Sequence, residues 1–236
     1  MTSLHLGQEY CCTAPLNLYQ SAAGDGLVTQ AQTGRHLKVI ALPTPAAPAW
    51  QVCLCEDDYP GWVLPADAAA LVPAPVPYQA ANLDLATIRA ALPQVLAFAQ
   101  AAMAQPNTYL WGGTVGPDYD CSGLVQAAFA AAGVQLPRDA YQQEHFVTPL
   151  HLGDLSAGDL LFFGTRDRTT HVALYWQDGN YIHSSGKDQG RNGIGIDSLT
   201  NLQDPISRNY HQQLRGAGRV TQSYQATGQP WGGHER

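Results

Sequence analysis

Residues Leu71 to Gln79 read LVPAPVPYQ, with Pro73, Pro75 and Pro77 at alternate positions. Each proline removes a backbone donor, fixes its own φ and pushes the residue before it out of the helical region. Such a run is a stiff, extended connector. It splits the chain, and the patterns on its two sides differ. Before it lie short pieces such as LNLYQ, GLVTQ, HLKVI and WQVCLCE, separated by Gly, Pro and Asp clusters. Little in them is helical. This density of short strands predicts a small β-barrel over residues 1–72. Residues 73–82 are the connector, 83–220 a second domain, and 221–236 a polar, Gly-rich and loose tail.

Past the connector the pattern turns helical. Leu85, Ile88, Leu92, Leu96, Ala99 and Met103 recur at spacings of three and four. Pro93 conflicts with one continuous helix, so a short helical turn is predicted, then a main helix with Pro93 in its first turn. A second helix is predicted to begin at Cys121 and to end near Gly133, with Leu124, Val125, Ala128, Phe129 and Ala132 on one face. Strand-like segments follow: DLLFFG, HVALYW, YIHSS and GIGID. The fold class expected of the second domain is α+β.

Composition narrows the classes of function. Of 236 residues, 45% are hydrophobic and 13% charged, as in a globular protein with a real core. The net charge is −7 and no Lys/Arg cluster occurs, which argues against a nucleic-acid partner and against an anionic membrane surface. The start, MTSLHLGQEYCC, lacks a basic stretch followed by an apolar one. No uninterrupted apolar run of about 18 residues is present, so no membrane span is expected. These features together predict a cytoplasmic chain.

Of the five cysteines, Cys11, Cys12, Cys53 and Cys55 lie in strand-like sequence without the spacing of a zinc ribbon. They read as small hydrophobes in a reducing compartment. Cys121 differs. It opens a helix, where unpaired N–H groups favour thiolate, and Asp120 is placed as the N-cap. Ser122 and Gly123 are small, which would let a substrate backbone approach.

A thiol nucleophile needs a base, most often histidine. His171 and His183 flank one hairpin, HVALYWQDGNYIHSS. A two-residue turn at Asp178-Gly179 would put them on opposite faces. A three-residue turn over Gln177, Asp178 and Gly179 pairs Trp176 with Asn180 and sets His183 opposite Ala173, on the face of His171. Diagonal neighbours are then roughly 7–8 Å apart, within reach of two imidazoles. The sequence thus permits a chain of Cys121, His171 and His183, in which His183 accepts the Nδ1–H of His171. A zinc site made of the same three residues is the competing reading, though no H-E-x-x-H and no second nearby cysteine supports it. His5, His36, His145, His151, His211 and His234 show no pattern.

YLWGG, DCSGLVQAAFAAAGVQLPRDAYQQ, GDLLFFG, HVALYW and YIHSSG occur in that order between about Tyr109 and Val220. They resemble the NlpC-type cysteine peptidases, a papain-like family acting on bacterial cell-wall peptides. The resemblance implies Cys121 as nucleophile, His171 as base and His183 as third member, without cofactor or metal. One departure is Ala157, where the family often has proline before the Gly-Asp turn. The N-terminal part, with CEDDYPGW, looks like the bacterial SH3-like domain of a branch resembling cyanobacterial γ-D-glutamyl-L-diamino acid endopeptidases. In that branch the barrel covers one end of the cleft. The resemblance gives Tyr59 and Asp120 to the free N-terminal L-Ala of the substrate, Asp120 binding its amino group. It assigns Tyr109 and Ser122 to the pocket, Arg138 and Asp139 to its border, and Glu56 as a further candidate.

A carboxylate beside the thiol raises the thiol pKa and so opposes activation, which fits a second task such as pairing a substrate ammonium. The activity implied is hydrolysis of the bond between γ-D-Glu and a diamino acid, diaminopimelate or Lys, in murein tri- or tetrapeptides. In the cytoplasm that would serve peptide recycling. The alternatives are a silent murein-binding module and an acyl- or amidotransferase on the same fold.

Overall fold

The computed structural model describes residues 4–231, and their backbone contacts divide into two units. Unit one spans the chain up to Ala80 together with the segment from Gln225; unit two spans Ala81–Tyr224.

Unit one is built from β1 (Glu9–Cys12), β2 (Leu16–Tyr19), β3 (Leu27–Ala31), β4 (His36–Ala41), β5 (Trp50–Leu54), β6 (Pro60–Val63) and β7 (Leu71–Pro73). All pairings are antiparallel, in the order β3-β2-β6-β5-β4-β1-β7. Alternate residues point inward: Leu16 and Leu18 from β2, Leu37 and Val39 from β4, Val52 and Leu54 from β5. The period-two pattern of the sequence is that of strands with one buried face.

Two details differ from expectation. Pro73 sits in β7, opposite Tyr10, and the backbone N–H of Tyr78 donates to Glu9 Oε2 at 2.8 Å, so the connector is partly tied to the barrel. The tail is held as well. The Asp58 carboxylate accepts from Thr227 N at 2.6 Å and Gly228 N at 2.9 Å, and the Trp231 indole N–H donates to Asp57 O at 3.1 Å. Polar, glycine-rich composition suggested looseness because it carries no core. These carboxylate and carbonyl acceptors supply the order instead. Gly232 to Arg236, with His234, lie outside the described residues.

Unit two begins with α1 (Leu85–Met103). It is one helix, not a turn and a helix. Pro93 removes a single N–H, and the stripe Ile88, Val95, Ala99 anchors the helix on both sides of it. Asp84 caps the start, accepting from Thr87 N at 2.8 Å. By length and composition alone this 19-residue helix could cross a membrane, a point that counting uninterrupted apolar residues missed. Its buried stripe packs into the core of unit two.

α2 (Cys121–Ala131) and α3 (Ala140–Phe146) follow, then β8 (Thr148–Leu150), β9 (Leu160–Gly164), β10 (Thr169–Gln177), β11 (Asn180–Ser185), β12 (Gly193–Ser198), α4 (Pro205–Gln212) and β13 (Leu214–Arg219). The six strands form one antiparallel sheet, ordered β12-β11-β10-β9-β13-β8. Both faces of its centre are covered. Leu160, Phe162, Val172, Leu174 and Ile182 meet Val125, Ala128 and Phe129 of α2, while Leu161, Phe163, Ala173 and Tyr181 meet Tyr210 of α4. Double coverage explains why LLFF in β9 is a continuous apolar run and not an alternating one.

Candidate active site

Cys121 is fixed by the start of α2. Asp120 is extended and caps the helix, its Oδ1 accepting from Gly123 N at 2.7 Å. The other end of α2 closes on Gly133, whose φ of 80° carries the reversal, with Val134 N donating to Phe129 O. Gly123 is small for a different reason than expected. A Cβ there would collide with the Gly113 carbonyl oxygen, so the space belongs to the protein's own backbone and not to a substrate. The same carbonyl accepts from Asp120 N at 3.1 Å.

Asp120 is also occupied in a way the sequence did not reveal. Arg138 meets it with two hydrogen bonds, Nη2 to Oδ2 at 2.6 Å and Nη1 to Oδ1 at 3.1 Å. Gly112 N donates to Oδ2 at 2.8 Å, and the Ser122 hydroxyl reaches Oδ1 at 3.3 Å. Arg138 is 1% exposed and binds Ser122 Oγ at 2.9 Å. The carboxylate beside the nucleophile therefore holds a guanidinium and a helix N-terminus. Its charge is already met by Arg138, so an ammonium would meet a carboxylate that is shared and not free. Ser122 is an internal bridge of the same cluster. Asp139 follows directly and caps α3, where Gln142 Oε1 accepts from Asp139 N at 2.9 Å in a capping box.

His171 lies near the start of β10 and His183 on β11. The turn between them is the two-residue one: Gln177 pairs with Asn180, and Asp178 and Gly179 have φ of 52° and 80°. Alone it would put the two histidines on opposite faces. A bulge at Trp176, between the pairs Tyr175–Tyr181 and Gln177–Asn180, restores the phase. Continuing the register from Leu174–Ile182 sets His183 opposite Ala173, the partner expected, but by another route. The two imidazoles meet, His171 Nε2 to His183 Nδ1, at 2.7 Å. Here too the expectation is corrected, since His171 uses Nε2 and not Nδ1. Its Nδ1 is the nitrogen left for a thiol.

The thiol lies close by. The backbone N–H of Val172, next to His171, and that of Ser122 both favour its ionised form. Its charge would act on Tyr109 and on Tyr210, and the Tyr210 ring centroid is 4.6 Å from that of His171. The Ser184 hydroxyl donates to Tyr119 O at 2.6 Å and so ties the histidine strand to the loop that leads into α2.

Burial governs the protonation states. Cys121 and His171 are 6% and 8% exposed, and His183 is fully buried. Burial, then the Asp120 charge, pushes the Cys121 thiol up to about 12, against the N–H groups of Val172 and Ser122 and the charge of Arg138. Burial, then His183, holds His171 well below its ordinary value; burial also lowers His183, against Asp197. Burial thus favours the thiol and the neutral imidazole, against the thiolate that a helix N-terminus favours. Burial likewise pushes the Tyr109 hydroxyl up, so it is a hydrogen-bond donor.

Sequence reasoning missed three residues here. His183 Nε2 lies 2.6 Å from Asp197 Oδ2, and Arg191 Nη2 lies 2.5 Å from Asp197 Oδ1. Tyr210 packs on both imidazoles and shares a hydrogen bond with Ser185 Oγ at 2.7 Å. The alternation of GIGID could have pointed to Asp197, once Gly195 was placed opposite His183. Among the described residues no three His, Cys, Asp or Glu side chains converge as metal ligands. Tyr59 and Glu56 lie in unit one. Tyr59 is 4% exposed, and Glu56 accepts from Arg35 Nε at 3.2 Å and from His36 N at 2.7 Å.

The fold and site define a papain-like α+β domain with a thiol at a helix N-terminus and paired imidazoles on a sheet. Residues 106–215 match the NlpC/P60 family, and residues 18–67 match the bacterial dipeptidyl-peptidase Sh3 domain. Unit two thus carries a domain of the NlpC/P60 type, and unit one carries an SH3-like domain. A γ-D-glutamyl-L-lysine dipeptidyl-peptidase of Bacillus subtilis is 40% identical over 95 residues, 39% of this chain and 30% of that protein. A protein of the same name from Bacillus cereus is 38% identical over 79 residues, 32% of this chain and 24% of its own length. The chain thus spans less than a third of these curated relatives. A crystal structure of an NlpC/P60 family protein from Bacillus cereus shares the fold over 91% of this chain and 64% of its own, at 22% identity and a TM-score of 0.50.

Proposed function

We propose that this protein is a cysteine peptidase that hydrolyses the amide between γ-D-Glu and the diamino acid of murein peptides carrying a free N-terminal L-Ala. The observation that carries the proposal is the placement of the Cys121 thiol against the backbone N–H of Val172, the residue after His171, whose own imidazole is hydrogen-bonded through Nε2 to His183. In the reaction, Sγ attacks the carbonyl carbon as its proton passes to His171. His171 then gives that proton to the leaving amine, and water hydrolyses the thioester. The Cys121 backbone N–H and the Tyr109 hydroxyl are the donors proposed for the oxyanion.

The names of the Bacillus relatives support the bond type, and likeness alone supports Tyr59 as a partner of the alanine. Preference for a free amine, activity in the cytoplasm and a role in recycling released peptides belong to the same proposal. Asp120 has its place in it as the anchor of Arg138 and Ser122, and an ammonium reaching it would share it with Arg138. The test is product analysis on L-Ala-γ-D-Glu-diaminopimelate, free and N-acetylated. Release of diaminopimelate from the free peptide, with kcat/KM at least tenfold lower for the acetylated one, is expected. Cleavage of neither peptide, or full turnover after iodoacetamide, would overturn the reading.

A further inference from the structure

His171 and His183 share one hydrogen bond, and two neutral rings can share it in either sense. Only one sense serves a thiol. If His171 donates from Nε2, its Nδ1 is bare and can take a proton. If His171 accepts there, its own proton occupies Nδ1 and that nitrogen is no base.

The surroundings of His183 decide between the two. Its Nε2 lies 2.6 Å from Asp197 Oδ2. Asp197 is 4% exposed, and its other oxygen is bound to Arg191 Nη2 at 2.5 Å. A carboxylate gripped by a guanidinium accepts and does not donate. His183 must therefore carry its proton on Nε2. Burial keeps His183 neutral in spite of Asp197, so its Nδ1 is bare and must accept. The donor can only be His171 Nε2–H, which leaves the His171 Nδ1 lone pair for the thiol.

We propose that Asp197, held by Arg191, is a positioning residue that sets the proton direction of the His171–His183 pair and thereby makes His171 a base. Room for this arrangement is built into β12. Gly195 lies opposite His183, and a Cβ there would collide with the Arg191 guanidinium. Arg191 is steadied by a second bond, Nη2 to Ile196 O at 3.3 Å. The role in catalysis rests on the peptidase reading. The tautomers themselves do not.

The experiment therefore reads tautomers first, in the unliganded full chain. Nitrogen-15 NMR of labelled histidine at pH 7.5 distinguishes a protonated ring nitrogen from a bare one. Both His171 and His183 should be protonated at Nε2 and bare at Nδ1. A wild type with His171 protonated at Nδ1 overturns the proposal, whatever any variant does. Asp197→Asn is the complementary arm. Its amide oxygen should face Arg191, so its NH₂ faces His183 Nε2 and the chain of bonds reverses. His171 should then be protonated at Nδ1, and kcat should fall on the order of 10³- to 10⁴-fold, as when a catalytic imidazole is locked in the wrong tautomer, with KM within about threefold. A folded Asp197→Asn protein with unchanged tautomers and full kcat also overturns it. If the wild type has the expected tautomers yet cleaves no peptide, the peptidase reading fails and the tautomer assignment stands.

Discussion

Arg138 and Asp120 face each other through two hydrogen bonds of 2.6 and 3.1 Å at the foot of the helix that carries Cys121, and Arg138 is almost wholly buried. Removing the charge of one partner leaves the other buried without compensation. Asp120→Asn should therefore destabilise the fold by about 3–5 kcal/mol, as breaking a buried pair does. Urea unfolding of both proteins measures this. An Asp120→Asn protein as stable as the wild type, with altered amine preference only, would return Asp120 to substrate reading.

Cys121→Ala and His171→Ala should each abolish nearly all turnover, and the double variant should lose little more, because nucleophile and base act as one unit. His183→Ala should retain more rate than either. Single-turnover assays on the free murein peptide check this. Additive losses in the double variant would mean that the two residues do not share a step.

The raised thiol pKa has a sign that alkylation can read. With Cys121 pushed up to about 12, the thiolate fraction at neutral pH is small and grows with pH. The iodoacetamide rate at Cys121, followed by peptide mass analysis without substrate, should rise about tenfold per pH unit from pH 7 to 9. A plateau below pH 8 would show a resting thiolate–imidazolium pair instead.

Both site histidines sit below their ordinary value of 6.5 in the folded protein because of burial. Above that pH, folded and unfolded chains hold them equally neutral. Below it the unfolded chain takes up protons that the folded one refuses, so stability falls as the pH drops. Each histidine contributes up to about 1.4 kcal/mol per pH unit until its folded pKa is reached. Urea midpoints between pH 7 and 5 should decline, and His183→Gln should lessen the slope. A flat profile over that range would contradict burial as the controlling cause.

Gly123→Ala should be poorly tolerated. The new Cβ would strike the Gly113 carbonyl oxygen, a backbone atom that cannot swing aside. Loss of about 1–3 kcal/mol, the usual cost of overpacking, is expected, together with reduced turnover as the start of α2 is displaced. Thermal unfolding and kcat measured on the same preparation decide it.

The strands and α2 were legible because hydrophobic period and capping chemistry are local. DCSGL announces an N-cap and a first turn, and HVALYW and YIHSS announce strands. The course of α1 through Pro93 was not legible, because its buried stripe outweighs one missing N–H, and burial is a tertiary fact. The turn between the histidines shows the limit well. Asp178-Gly179 was readable as a turn, but the bulge at Trp176 that returns His183 to the face of His171 has no sequence signature.

By itself the sequence determined the residue types, their order and the division at LVPAPVPYQ: a thiol after an acid at a helix start, then two histidines on neighbouring strands. Only the tertiary structure shows what the acid touches. Arg138 is 18 residues from Asp120 along the chain, and Asp197 is 14 from His183, yet each pair touches. Desolvation then pushes the thiol up, since taking a charge out of water opposes the pull of the Val172 and Ser122 N–H groups. Periodicity and motif are properties of neighbours in the chain. Which charge is balanced, and by what, depends on neighbours in space.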